Sequence, residues 1–488
     1  MNPSPEDLDR LARSYLERQD WYVKLAGGIS PGELDLEALT VMRDGLPGLA
    51  RLELAGQGQR FQLLAGWREP SEAVASLPGR EPALWGSLGG ASRELLVYDA
   101  LADDALALEL LAVATGGAES AERVRSVRST PTHESLVFDE RLLLKWYRAL
   151  DEGRRAEVEM VLALDAVGFN AMLAPVAYWS EAGRDLALVR EFQSGALECR
   201  ELALTSLRDL LGDLGSAVAS EEPFGVTLEG PELGPEEALR RVARAGGDLG
   251  SEMRRLGATT AALHLALAEA FGERQVDPDE LAAVLRLGPG PSGRPPAEDL
   301  TPLVDHEADL ARLVTSRTAK ELGRSIRLHG DYHLRRMMRS EAGWLVTGFG
   351  DEIPPESSST GTSSGRRFGT VLEDLADLCW SIGAVAAEAL AARSGGSGGT
   401  SSPSAPAARS GSAPRALGPG ASLAFGSGDT AGALAAGWAR HNREAFLAGY
   451  AGAPGASRLL PVDPDLTEWI LGRLERAREE RYEATVSP

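Results

Sequence analysis

Hydrophobic periodicity changes character near residue 192, and this switch constrains the fold more than any other feature of the chain. Up to that point short apolar runs are punctuated by Gly- and Pro-bearing turns: LARLELAG at 49–56, QRFQLLAGW at 59–67, ESLVF at 134–138, RLLLKWY at 141–147, LAPVAYWS at 173–180 and DLALVREF at 185–192. Such runs read as strands, alternating where one face is solvated. Beyond Phe192 the texture is helical, with long Ala/Leu/Arg segments at 200–218, 235–273 and 305–324. Strands first and helices afterwards describe an α+β protein in which a sheet-rich part precedes a helix-rich part.

Within that frame residues 1–125 form a small α+β module, with one amphipathic helix, DLDRLARSYLERQDWY, ahead of its strands. Residues 126–195 read as a sheet carrying one helix, EGRRAEVEMVLALDAVG, with a hairpin turn at Asp139-Glu140. Residues 196–488 are the helical part. Two segments interrupt it, 355–365 and 393–420. Their Ser, Gly, Pro and Ala content buries too little apolar surface to offset ordering, so both are expected to be mobile insertions.

Composition narrows the partners. The 50 Lys and Arg against 72 Asp and Glu give a net charge of −22. That excludes a phosphate backbone or an anionic membrane surface as the main partner, because both are bound by clustered cations. Two cysteines, Cys199 and Cys379, make neither a disulfide framework nor a thiolate metal site, which fits a reducing compartment. The acidic start MNPSPEDLDR lacks the basic and apolar regions of a signal peptide. No run of about 18 apolar residues is evident, so the expectation is a cytoplasmic, soluble protein with no membrane segment.

The chemistry concentrates in IRLHGDYHLRRMM at 326–338, followed by a turn at Ser340-Glu341 and GWLVTGFGDE at 343–352. Two short apolar strands flank a turn, and His329, Gly330, Asp331 and His333 lie beside the first. Upstream, Lys145 sits in the strand LLLKWY and Glu159 follows on the helix AEVEMVLAL, an arrangement in which a helix carboxylate holds an ammonium. An ammonium over nucleotide phosphates, a carboxylate to take the acceptor proton and a divalent metal are the parts of phosphoryl transfer.

These residues resemble the kinase-like phosphotransferases, and segments spanning most of the chain resemble the maltokinase family within them. The resemblance is carried in order by YLERQDWYVKL, ESLVFDERLLLKWYRALDEG, LVREFQSG, LGATTAALHLALA, RLHGDYHL, VLEDLADLCWSI and AFLAGY. It implies a bilobal protein-kinase-like fold with an N-terminal α+β cap, a small sheet lobe and a large helical lobe. It implies ATP and Mg2+ as cofactors and maltose, or a related sugar or amino sugar, as the small-molecule acceptor. Asp331 takes the place of the catalytic base, Lys145 and Glu159 that of the phosphate-binding pair, and Glu191 and Phe192 that of the adenine-binding hinge. His329, His333 and Asp374 correspond to supports of the catalytic loop.

The same resemblance exposes departures. A Gln or Asn that touches metal stands, in the family, five residues after the catalytic Asp; here that residue is Arg336. The metal-binding Asp opens an Asp-Phe-Glu-Gly-Glu-Pro string, and this chain has Gly348-Phe349-Gly350-Asp351-Glu352-Ile353. Asp351 and Glu352 are the substitute ligands nearest in sequence. The phosphate-covering loop is altered to Thr132-His133-Glu134-Ser135. Two functions follow: a slow ATP:sugar phosphotransferase, or a pseudokinase that binds sugar or nucleotide and partners an enzyme of trehalose or glucan metabolism. His264, on the apolar run AALHLALA, reads as a core histidine, and Trp21, Trp146 and Trp179 as packing residues.

Overall fold

The computed structural model describes residues 2–77, 79–90, 93–127, 130–220, 238–240, 242, 249–286, 319–350, 368–395 and 430–486. Contacts divide the chain into two units, Met1–Leu162 with Leu173–Ser194, and Ala163–Met172 with Gly195–Pro488.

The first unit opens with α1 (Pro5–Leu16), whose Ser4 cap accepts a hydrogen bond from the Asp7 N–H, and α2 (Asp20–Leu25). The single helix expected over 7–22 is therefore two. β1 (Asp35–Arg43), β2 (Gly48–Gly56) and β3 (Gln59–Arg68) follow, then α3 (Pro70–Ser76), β4 (Leu84–Gly90), β5 (Arg93–Asp99) and α4 (Asp104–Ala114). These strands form an antiparallel sheet in the order β1-β2-β3-β5-β4. A second antiparallel sheet, in the order β6-β7-β8-β10-β9, comprises β6 (Val124–Ser126), β7 (His133–Phe138), β8 (Leu142–Tyr147), β9 (Pro175–Glu181) and β10 (Arg184–Glu191). α5 (Ala156–Ala166) lies between β8 and β9 in the chain.

Strands β2 and β3 are buried on both faces rather than alternating. Ala50, Leu52 and Leu54 pack with α1 in one core, whereas Leu49 and Leu64 pack in a second core with α4 and with Leu136, Phe138 and Leu144 of the other sheet. Backbone bonds from Gln62 N–H to the Arg148 carbonyl and from Leu150 N–H to the Arg60 carbonyl, both 2.9 Å, join the two sheets. The module expected over 1–125 and the sheet expected over 126–195 thus share a core and fall within one unit. At the β7–β8 turn Asp139 and Glu140 have φ of +49° and +54°. That is a type I′ geometry, whose twist matches the flanking strands. The Asp139 carboxylate braces it by accepting the Glu122 and Arg123 N–H groups at 3.0 and 2.9 Å.

The second unit contains β11 (Leu197–Glu198), α6 (Cys199–Ser220), α7 (Leu249–Phe271), β12 (Glu273–Gln275), α8 (Pro278–Arg286), β13 (Arg324–Arg327), β14 (Met337–Ser340), β15 (Gly343–Val346), β16 (Phe368–Thr370), α9 (Leu372–Gly395), α10 (Thr430–Ala451) and α11 (Pro464–Val486). Two three-stranded sheets, β11-β14-β15 and β12-β13-β16, hold the loop between β13 and β14 at both ends. Helices α7 and α10 approach closely at two glycines: a Cβ on Gly257 would lie 2.0 Å from the Phe446 carbonyl oxygen, and one on Gly449 2.0 Å from that of Arg254.

Three expectations need correction here. The helical stretch foreseen at 235–273 ends at Phe271, and residues 273–275 are a strand. Of the stretch at 305–324, residues 305–318 lie outside the described residues and Arg324 opens β13. The insertion placed at 393–420 begins later, since α9 runs through Gly395 and Arg393 donates to the Leu211 carbonyl at 2.8 Å. Residues 396–420, like 355–365, lie outside the described residues. Over Leu372–Arg393 α9 has the length and mean hydropathy of a membrane span, although Glu373, Asp374, Asp377 and Glu388 interrupt its apolar run. Leu372, Leu375, Leu378, Ile382 and Ala386 are buried, so α9 is a core helix of this unit.

Candidate active site

Each unit carries one part of the expected constellation. In the first, Lys145 lies on β8 between Ser135 of β7 and Leu188 of β10. Its Nζ donates to Glu157 Oε2 at 2.7 Å, with both side chains buried. The same oxygen accepts from the Tyr147 hydroxyl at 3.1 Å, and Arg190 Nη2 stands 3.3 Å from Oε1. The carboxylate at Lys145 is thus Glu157, where spacing pointed to Glu159. Both lie in the first turn of α5, but residues two apart on a helix face nearly opposite directions. Glu157 shares a stripe with buried Val161 and Leu164, four and seven residues on, whereas Glu159 is only half-buried. That stripe was the signal available in the sequence. Arg190 had no such signal.

Glu191 and Phe192 close β10. Their backbone N–H groups bond to the Ala174 and Arg141 carbonyls at 2.9 and 2.7 Å, and the Arg125 guanidinium lies 5.5 Å from the centre of the Phe192 ring. The Glu191 side chain is exposed.

In the second unit the loop after β13 is held from beneath by a buried carboxylate. Asp374, in the first turn of α9, accepts the His329 N–H on Oδ2 at 2.9 Å and the Gly330 N–H on Oδ1 at 3.0 Å. His264 Nε2 lies 3.3 Å from Asp374 Oδ2, and its Nδ1 3.0 Å from the Tyr450 hydroxyl. An ionised Asp374 only accepts, so His264 donates to it from Nε2. Burial raises the Asp374 pKa, but the His264 bond, the neighbouring imidazoles and the Gly330 N–H together bring it below the ordinary carboxylate value. The core reading of His264 is correct as to burial; its contact with Asp374 is a tertiary fact.

Gly330, at φ +87°, carries the chain over Asp374. His329 accepts the Asp331 N–H on Nδ1 at 3.3 Å and donates from Nε2 to the Thr347 carbonyl at 3.0 Å. Burial lowers the His329 pKa and keeps the ring neutral, as these two bonds require. His333 caps the short turn that follows: its Nδ1 accepts the Arg335 N–H and its Nε2 lies 3.2 Å from Asp331 Oδ1. Hence His329 and His333 both brace the loop around Asp331.

The Asp331 carboxylate is not open. Oδ2 accepts from Arg336 Nε at 2.8 Å and also from Nη2. Burial pushes the Asp331 pKa up, but the His333 bond and the Arg336 charge outweigh it and hold the group well below the usual carboxylate range. Such a carboxylate is a weak proton acceptor. Arg336 also leans on Gly348, where φ is +76° and a Cβ would fall 2.6 Å from Arg336 Cδ and Nη1.

Among the described residues, those around Asp331 do not fit a divalent metal. Glycine offers no side-chain oxygen at 348, and a guanidinium already bonds the Asp331 carboxylate. A divalent ion about 4 Å from that guanidinium would meet roughly 8 kcal/mol of repulsion at an effective dielectric near 20. Among the described residues no group of three or more His, Cys, Asp or Glu is arranged to hold a metal. Asp351 and Glu352, the substitute ligands considered from sequence, lie outside the described residues.

No family model matches the chain. Its fold is that of solved glucosamine kinases. A structure of glucosamine kinase in complex with glucosamine, ADP and inorganic phosphate matches with a TM-score of 0.54 at 18% identity, covering 98% of this chain and 94% of that one. Crystal form A of glucosamine kinase matches with the same score and identity over 98% and 93%, and crystal form B with a TM-score of 0.51 at 18% identity over 95% and 92%. The chain therefore has an α+β, kinase-like fold, shared almost end to end with a sugar kinase.

Proposed function

We propose that this chain is a maltokinase-related, ATP-dependent sugar phosphotransferase whose acceptor is maltose or a related sugar or amino sugar, with turnover slowed by the Arg336 contact. The observation that carries the reading is Asp331 on a loop whose backbone is fixed by Asp374, within a sugar-kinase fold. The Lys145–Glu157 pair supports it, since a buried, oriented ammonium suits a nucleotide phosphate. In this reading Asp331 takes the hydroxyl proton of the acceptor once Arg336 has turned away, and His333 keeps the carboxylate in position.

One observation favours a second reading, a pseudokinase that binds sugar or nucleotide without turnover: the proposed base is already engaged by a fixed positive charge. Incubating the protein with ATP and maltose, glucose, glucosamine or other amino sugars, in Mg2+ and in Mn2+, tests both. Phosphorylated sugar detected by mass supports the first. A sugar- or nucleotide-dependent rise in melting temperature with no product over long incubation supports the second and refutes the first.

A further inference from the structure

We propose that Arg336 is the resident cation of the Asp331 site, so that an anionic phosphate group is received there without a divalent metal. The inference rests on the nucleotide-handling function proposed above and specifies how the phosphate charge is met. Three features of the second unit converge on it.

First, the guanidinium already occupies the Asp331 carboxylate. Nε and Nη2 both approach Oδ2, leaving the carboxylate bound to a positive charge supplied by the chain itself.

Second, positions 336 and 348 share one space. A side chain at 348 would begin 2.6 Å from the Arg336 guanidinium, so a carboxylate at 348 and Arg336 in this seat exclude each other sterically.

Third, the seat is built rather than incidental. The Arg336 N–H bonds to the His333 carbonyl at 2.8 Å, and the Arg336 carbonyl accepts both the N–H and the hydroxyl of Thr347, at 2.8 and 3.0 Å. This ties residue 336 to the strand that leads into Gly348. The side chain keeps 27% of its surface exposed. Arginine is the side chain suited to bidentate phosphate recognition. Arg335 beside it adds a second positive charge at the same turn.

A guanidinium carries half the charge of Mg2+. Phosphate is therefore held more weakly than in a metal-loaded kinase, and the affinity does not depend on added metal. Calorimetric titration of the intact protein with ADP and with ATP, in EDTA and in excess Mg2+, reads this directly. The expected result is the same Kd within about threefold in both buffers. Arg336→Gln should weaken binding in EDTA by about tenfold or more, while Arg336→Lys keeps part of it. An affinity raised about tenfold or more by Mg2+ would overturn the proposal and leave the phosphotransferase reading standing. Undiminished binding by Arg336→Gln would overturn it as well. Binding of neither nucleotide in either buffer would remove the proposed function and this inference together. Should Arg336→Gln fail to fold, the comparison of EDTA and Mg2+ on the wild-type chain decides alone. Combining Arg336→Gln with Gly348→Asp should then create Mg2+-dependent binding where the wild type has none.

Discussion

Replacing Asp374 by Asn changes one oxygen of a buried side chain into an NH2 while keeping its shape, and so asks how firmly the Asp331 loop is held. Three donors converge on the carboxylate: Gly330 N–H on one oxygen, and His329 N–H with His264 Nε2 on the other. However the amide lies, its NH2 faces at least one of them. The milder orientation leaves the Gly330 N–H without an acceptor, which costs about 1–3 kcal/mol for a buried donor. The bonds to the remaining neutral oxygen lose their charge assistance, roughly another 1 kcal/mol. Relief of carboxylate desolvation opposes these losses, so the net destabilisation is about 2 kcal/mol. In a domain of a few hundred residues this lowers the melting temperature by roughly 4–8 °C. The linkage sign is fixed by the lowered pKa of Asp374. Its contribution is present above the ordinary value of 3.8 and is lost as pH falls through the lower folded value, so the gap between wild type and Asp374→Asn should be widest near neutrality and close in acid. Thermal melting with hydrogen exchange at His329 and Gly330 checks both parts. A melting temperature within about 1 °C of wild type, with unchanged exchange at those amides, would refute the reasoning.

Lys145→Ala leaves the Glu157 carboxylate buried with its ammonium gone, and should destabilise the protein by about 3 kcal/mol, whereas Lys145→Met combined with Glu157→Gln should recover much of the loss; urea unfolding of the three variants tests this, and an unshifted Lys145→Ala midpoint counts against it. Burial raises the Glu475 pKa to about 7, more than Arg443 offsets. The native state therefore gains stability as pH falls from about 8 toward about 5, and Glu475→Gln should flatten that part of the melting profile while Asp377, also raised to about 7 by burial, keeps the remainder. Gly449→Ala must force α7 and α10 apart, because its Cβ would lie 2.0 Å from the Arg254 carbonyl oxygen; a loss of about 3 kcal/mol is expected, and a melting curve superimposable on wild type would show that the helices separate freely.

The change of periodicity at residue 192, the hairpin at Asp139-Glu140, the buried histidine at 264 and the grouping of His329 and His333 beside Asp331 were legible in the chain. Each depends on local spacing or on residues a few positions apart. Turn chemistry and helical or extended periodicity are near-neighbour properties, and a linear reading captures them. Other facts needed the folded molecule. That Glu157 rather than Glu159 bonds Lys145 at 2.7 Å depends on how α5 is rotated against β8. That β2 and β3 are buried on both faces depends on a second core assembled from strands about 80 residues downstream in the chain. That Arg336 lies against Gly348 depends on β14 and β15 pairing to bring residues 12 positions apart into contact. The sequence alone determined which residue types stand at the loop. Only the tertiary structure decided which charges meet, because electrostatic and steric contacts act over a few ångströms of space and carry no fixed separation along the chain.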